Sequence, residues 1–236
     1  MFSFLYNELL WRPLFNGLIF FYTILPVADL GLSIIALTII IRVILAPVLW
    51  KAQKAQKDLQ LIQPEIKKIQ SQFKNDKEGQ GKALMEVYAR HKVNPFSGCL
   101  LMFIQFPILI ALLSVFQNFD ASRLSYLYSF ISHPGTINTI SFGFLDLAKG
   151  NIALGVIAAI TQYIQSKMTM VEQPKDSVNS FAKSFQTQTL YIFPAMILLW
   201  SYTFPSALTL YWTIMNVLGI IQEIIMRRLS LRAQAQ

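Results

Sequence analysis

The chain has 236 residues, 54% of them hydrophobic and only 14% charged, with a formal net charge of +8. A soluble domain carries about a quarter charged residues, so this composition excludes an ordinary soluble fold and points to an all-α polytopic membrane protein. The single Cys, Cys99, excludes an internal disulfide, and with His91 and His133 far apart in sequence no metal-ligand cluster is visible.

Residues 1–29 are apolar but interrupted by Glu8, Arg12, Pro13, Pro26 and Asp29. The unbroken stretch from Leu14 to Leu25 is short for a span. No basic n-region and no small-x-small cleavage site are present, so a secretory signal peptide is not expected. The reading is an amphipathic helix lying in the membrane interface, with a short extra span as the alternative.

The first span is predicted over 30–50. Gly31 to Trp50 reads GLSIIALTIIIRVILAPVLW, with Arg42 inside it. A guanidinium stays charged, and at the centre of a lipid-facing helix it costs roughly 2.5 kcal/mol on insertion scales. Lys51 lies nine residues further on, about 13 Å at ~1.5 Å per residue, so snorkelling is at best partial. A tilted helix with Arg42 partly snorkelled is one reading. The other places Arg42 in a wet, protein-lined cavity, with Thr38 one turn before it and Ala46 one turn after. Pro47 removes a donor and frees the Val43 carbonyl beside the Arg.

Residues 51–95 change character abruptly. Between Lys51 and Lys92 lie ten Lys or Arg and five Asp or Glu. Leu59, Ile62, Ile66, Ile69 and Phe73 step by three and four, as on one face of a helix. Asn75, Asp76, Gly79 and Gly81 are read as its break, and Leu84, Val87 and Tyr88 as a second stripe ending at His91. This is a helical hairpin: a solvated arm without partners, or one that touches ribosome, headgroups or incoming chains. A second span follows over 96–116, with Gln105 either pairing to a neighbouring helix or lining the same cavity as Arg42. Residues 117–150 form a mixed loop. The third span, 151–170, carries Gln162, Gln165, Ser166 and Thr169 on one face, which looks inward rather than at lipid. A polar loop, 171–189, a short fourth span, 190–204, a turn at Pro205, a fifth span, 207–226, and a basic tail, 227–236, complete the chain.

Sixteen of the twenty Lys and Arg fall on the side of the hairpin, the 171–189 loop and the tail, and three (Arg12, Arg123, Lys149) on the other. The positive-inside rule puts the hairpin and C-terminus in the cytoplasm and the N-terminal helix outside. The basic excess is therefore mostly topology, with some attraction to anionic lipid, and no specific nucleic-acid partner is expected. No predicted span contains Asp or His, Glu223 sits at a cytosolic end, and no phosphate-binding glycine loop exists. Neither an enzyme nor a cofactor is expected. A small-solute transporter remains open, although the paired repeats common in such folds are not found. So does an assembly factor that binds membrane subunits without inserting them.

Three stretches resemble the YidC/Oxa/Alb family of membrane protein insertases. They are IIIRVILAPVLWKAQKAQKDLQLIQPEIKKIQ, VNPFSGCLLMFIQFPILIAL and FPSALTLYWTIMNVLGIIQ, supported by FGFLDL in the outer loop. The resemblance covers about residues 30–228. It implies five spans around a hydrophilic groove, open to the cytoplasm and to lipid and closed to the outside, in a bacterial inner-membrane protein. By resemblance the groove arginine is Arg42, and the groove-lining positions are Gln105, Gln162, Tyr211 and Trp212. Thr38 and Gln165 join them from the residue pattern. The family's large periplasmic domain, lipid-modified Cys and long basic tail have no counterpart, so a short bacterial form is expected. The implied activity is nucleotide-independent insertion of nascent membrane proteins, with the bilayer, the ribosome and the Sec channel as further candidate partners and a monomer as the working unit.

Overall fold

In the computed structural model, residues 2–94, 97–117, 121–170 and 187–234 are described. Most of the expected 171–189 loop, Pro95, Phe96, residues 118–120 and the last two residues of the tail lie outside them, as does the Cys99 side chain.

The N-terminal segment is one helical run: α1 (Phe2–Tyr6), a π-helical turn (Asn7–Trp11) and α2 (Arg12–Ile24). Trp11, Phe15, Leu18, Ile19 and Tyr22 turn inward and are buried against α3 (Leu30–Leu61) and α6 (Ser97–Gln117). The α3 helix begins where Asp29 caps it, its carboxylate accepting from the Leu32 N–H at 3.0 Å. It does not end at Trp50. The helix continues to Leu61, because no Gly or Pro after Pro47 interrupts it and the residues beyond Trp50, AQKAQKDLQL among them, are good helix formers.

The hairpin is built from α4 (Gln63–Gln72) and α5 (Lys77–Arg90), packed through Ile62, Ile66, Leu84 and Val87. Gly79 and Gly81 lie inside α5 rather than in the break between helices. Asp76 starts that helix by accepting from the Gly79 N–H at 2.9 Å. Glu65 joins the two arms, 2.9 Å from Arg90 and 2.7 Å from His91.

After α6 come a 3₁₀ turn (Ala121–Tyr126) and a two-strand antiparallel pair, β1 (Ile140–Ser141) and β2 (Leu145–Asp146), with Ile140 opposite Asp146. Then follow α7 (Ile152–Thr169), a π-helical turn (Gln188–Ile192), α8 (Phe193–Thr203) and α9 (Ser206–Gln234). The last helix runs through the basic tail. Two helical stretches, Leu30–Leu61 and Ser206–Leu229, are long and apolar enough to cross a membrane by length and composition; Ile104–Gln117 is a shorter apolar helix.

The main core sits at the end of the helices opposite the hairpin, where α2, α3, α6, α9 and the loop converge on Leu112, Val115, Leu147 and Ala207. Polar ties fasten the loop there. The Asp29 carboxylate accepts from the Phe142 N–H at 2.7 Å, and Ser141 Oγ accepts from the Gly31 N–H at 2.8 Å. Asn16 donates to the Tyr126 carbonyl and accepts from the Tyr128 N–H. Burial pushes the Asp29 carboxyl up, but the hydrogen bonds from Phe142, Leu32, Ser141 and Gly31 outweigh it and hold it below its ordinary value. Its bonded partner Lys149 does the same for Asp146, joined by hydrogen bonds from Ala148 and Thr139 against a small desolvation. Between α7 and α8 the packing relies on smallness. A Cβ at Gly155 would run into the Ser201 side chain, the close approach that helices in lipid need when no hydrophobic drive holds them together.

Candidate functional site

The α9 helix organises the polar interior, because its neighbours α3, α6 and α7 each present a polar side chain to it. From α6, Gln105 donates to the Tyr211 hydroxyl at 2.9 Å, and Tyr211 is almost wholly buried at 1% exposure. From α7, Gln162 accepts from the Trp212 indole N–H at 2.8 Å and donates to Ser166 Oγ at 3.0 Å. Asn216, one turn past Trp212, reaches the Ala158 carbonyl and Thr161. Each of these amides finds its partner on a neighbouring helix or the next turn, as a polar group away from water must.

Arg42 is different. It projects from α3 toward Gly219, where a Cβ would sit 3.2 Å from Arg42 Nη2 and run into the Gln165 amide. Gly219 therefore opens the space in which a guanidinium from α3 and an amide from α7 meet on α9. The Arg42 Nε is buried and has no hydrogen-bond partner among the described residues, and no carboxylate pairs with the guanidinium there. The side chain as a whole is half-buried, and Tyr211 lies within electrostatic range. Thr38 is fully buried one turn before it, its hydroxyl spent on the Ile34 carbonyl at 2.6 Å.

The predicted residues thus fall into three groups. Gln105 meets Tyr211; Gln162 meets Trp212; Arg42 and Gln165 meet at Gly219. Thr38 shares the helix of Arg42 and bonds only its own backbone. Sequence reading missed Asn216 and Gly219, although their spacing held the signal: Trp212 and Asn216 are four apart, and Tyr211, Met215 and Gly219 step by four along one face of α9. It also missed the ties below them. Gln222 donates to Gln53 at 2.8 Å, and Glu223 lies 2.8 Å from Arg227 and 3.6 Å from Lys57.

Apolar helices gathered around hydrogen-bonded amides and the half-buried Arg42 define a helical membrane protein with a polar interior. The comparisons agree. Residues 20–234 match the profile of the 60Kd inner membrane protein family. A membrane protein insertase YidC of Fusobacterium nucleatum is 32% identical over 198 residues, covering 84% of this chain and 85% of that one. The membrane protein insertase YidC 2 of Bacillus anthracis is 32% identical over 235 residues, 97% of this chain and 84% of its own. With the YidC of Pelobacter propionicus the identity is 32% over 218 residues, but this chain spans only 38% of that protein's length. The chain belongs to the 60Kd inner membrane protein family and is similar over most of its length to YidC insertases.

Proposed function

We propose that this protein inserts nascent membrane proteins into a bacterial inner membrane through a hydrophilic groove walled by α3, α6, α7 and α9. Five spans, of which α3, α6, α7, α8 and α9 supply one each, place the outer loop outside and the hairpin and α9 terminus in the cytoplasm, as the charge distribution favours. The observation that carries the reading is Arg42: a half-buried cation beside Gly219 with no carboxylate partner among the described residues, among amides that satisfy one another. Such a charge is costly unless it meets water or an incoming anion.

The physics then gives a route. Arg42 draws the short acidic flank of an incoming segment into the groove, where attraction is stronger than in bulk water. The flank crosses a shortened apolar distance toward the outer end, which the core and the loop ties close. The hydrophobic segment passes into lipid along α7 and α9, driven by its own burial at about 25 cal/mol per Å². No nucleotide enters this scheme. Insertion of a single-span substrate into liposomes holding only this protein tests it, with photo-crosslinkers at Gln162 and at Trp212. Insertion with crosslinks from both positions to the hydrophobic segment is expected. Silence at both, with insertion no better than in empty liposomes, refutes it; saturable uptake of a small solute instead identifies a transporter.

A further inference from the structure

At the cytoplasmic base, below the polar interior, the ends of α3, α4, α7 and α9 surround a cavity of about 850 Å³. Its size is within the range of ligand sites. Five cations line it (Lys54, Lys57, Lys67, Lys167 and Arg227) against two carboxylates, Asp58 and Glu223. The carboxylates do not neutralise it. Glu223 Oε1 is taken by Arg227 Nε at 2.8 Å, and Lys57 Nζ stands 3.6 Å from that same oxygen. The Lys57 ammonium is buried and makes no hydrogen bond among the described residues. A buried ammonium has three protons to donate, and the cavity offers it room for an acceptor.

Apart from Gln60 and Gln63, the rest of the wall is apolar. Met168, Met170 and Met226 line it, and Leu61, Leu229 and Trp50 are exposed at its edge, Leu61 by 73%. Trp50 ends the apolar run of α3 immediately before Lys51, where an aromatic side chain marks a membrane–water boundary. A cationic floor with an open apolar edge at headgroup depth fits an amphiphile, not a soluble anion. We propose that this cavity binds the phosphate headgroup of an anionic phospholipid of the cytoplasmic leaflet. Lys57 donates to the phosphate oxygens, Lys54 and Lys167 flank it, and the acyl chains leave past Met226 and Leu229. An acidic peptide would satisfy the same cations but leaves the apolar edge unused.

Native mass spectrometry of the full chain in a neutral detergent tests this without reference to insertion activity. Phosphatidylglycerol and phosphatidylcholine with the same acyl chains are titrated in parallel. One phosphatidylglycerol is expected to remain bound, at least about fivefold more tightly than phosphatidylcholine. Lys57→Gln weakens phosphatidylglycerol about fivefold, the equivalent of one Lys at an anionic surface, and leaves phosphatidylcholine unchanged. Lys82→Gln, at the hairpin's exposed Glu78 pair, changes neither. If Lys57→Gln does not fold, the pair Lys54→Gln and Lys167→Gln, on the exposed rim, carries the test with an expected loss of about 25-fold. Equal binding of the two lipids, or full phosphatidylglycerol affinity in a folded variant, overturns the proposal. So does displacement of the lipid by equimolar inorganic phosphate or by an acidic octapeptide.

Discussion

Replacing Arg42 by Met tests the groove most sharply, because stability and activity should move in opposite directions. Arg42 lies twelve residues past Leu30 on α3, about 18 Å along the helix at ~1.5 Å per residue. That is more than half of the ~30 Å hydrocarbon core, so a flank drawn to Arg42 has about 18 Å left to cross. A carboxylate held one water away, at about 6 Å and an effective dielectric of ~20, gains about 3 kcal/mol. Hydration of the groove lowers this to about 1.5–3 kcal/mol, roughly 10- to 100-fold in occupancy. The Met variant keeps an unbranched apolar stem and loses the charged guanidinium. Its apparent Tm should rise, since a half-buried guanidinium without a carboxylate partner among the described residues carries part of the ~2.5–3.5 kcal/mol cost of a mid-membrane Arg. Liposome insertion, scored by protease protection, is measured for two substrates that differ only in an acidic or a neutral flank. Insertion of the acidic-flank substrate should fall about tenfold or more, and the neutral-flank substrate should change little. Equal losses for both would mean that Arg42 shapes the helix packing rather than attracting charge, and no loss for either would remove the electrostatic step.

Gly219→Ala adds a methyl where Gln165 and Arg42 meet; the helix gains about 0.8–1 kcal/mol in propensity while the Gln165 amide swings away. Thermal unfolding should show equal or higher stability and the insertion assay a loss, and destabilisation beyond about 1 kcal/mol would contradict the open space assigned to this position. Gly155→Leu wedges α7 from α8 at Ser201, and the yield of folded, monodisperse protein in detergent should collapse, whereas Gly81→Leu, at a position where a Cβ meets nothing, should not. Asp29 and Asp146 both have carboxyls lowered on folding, so the stability they contribute is complete above the ordinary carboxylate range and is lost as pH falls through their lowered values. The apparent Tm should decline on acidification below about pH 4, and less steeply in Asp29→Asn; identical slopes would refute the assignment. Asn16→Ala removes both ties to the outer loop and should cost about 1–3 kcal/mol in thermal unfolding without altering the lipid binding inferred at the opposite end.

Much of this architecture was visible in the residue pattern because each feature is local. Each apolar run, the polar face of Gln162, Gln165 and Ser166 on α7, and the anomaly of Arg42 on α3 is confined to a few turns of its own helix. What joins them is not local. Gln105 and Tyr211 are 106 residues apart, and Gln162 and Trp212 are 50 apart, so pattern reading reached the residues but not the pairs. Gly219 escaped notice because a glycine in an apolar run reads as a packing residue until its neighbour is known to be charged. The Lys51 boundary marks a change of composition and not a helix end. Composition changes there from apolar to basic, but helix propensity does not, and the backbone follows propensity. At Gly79 and Gly81 the opposite holds: low propensity suggested a break, and the Asp76 cap, with packing of Leu84 and Val87 on α4, carries the helix through.

That continuity makes α3 a lever. Its N-terminal end is pinned at Asp29, which holds both the first turn of α3 and the Phe142 amide. Its far end, at Leu61, adjoins the hairpin. Over 32 residues the rod is about 48 Å long, and Arg42 stands about two-fifths of the way along it. A sideways push of 5 Å on the hairpin, pivoting at the pin, arrives at Arg42 as about 2 Å. Pro47, five residues past Arg42, lacks the N–H that would brace the Val43 carbonyl and acts as a compliant joint in the rod. A displacement of the hairpin relative to the Asp29 pin therefore has two outlets along α3, bending at Pro47 or movement of the guanidinium.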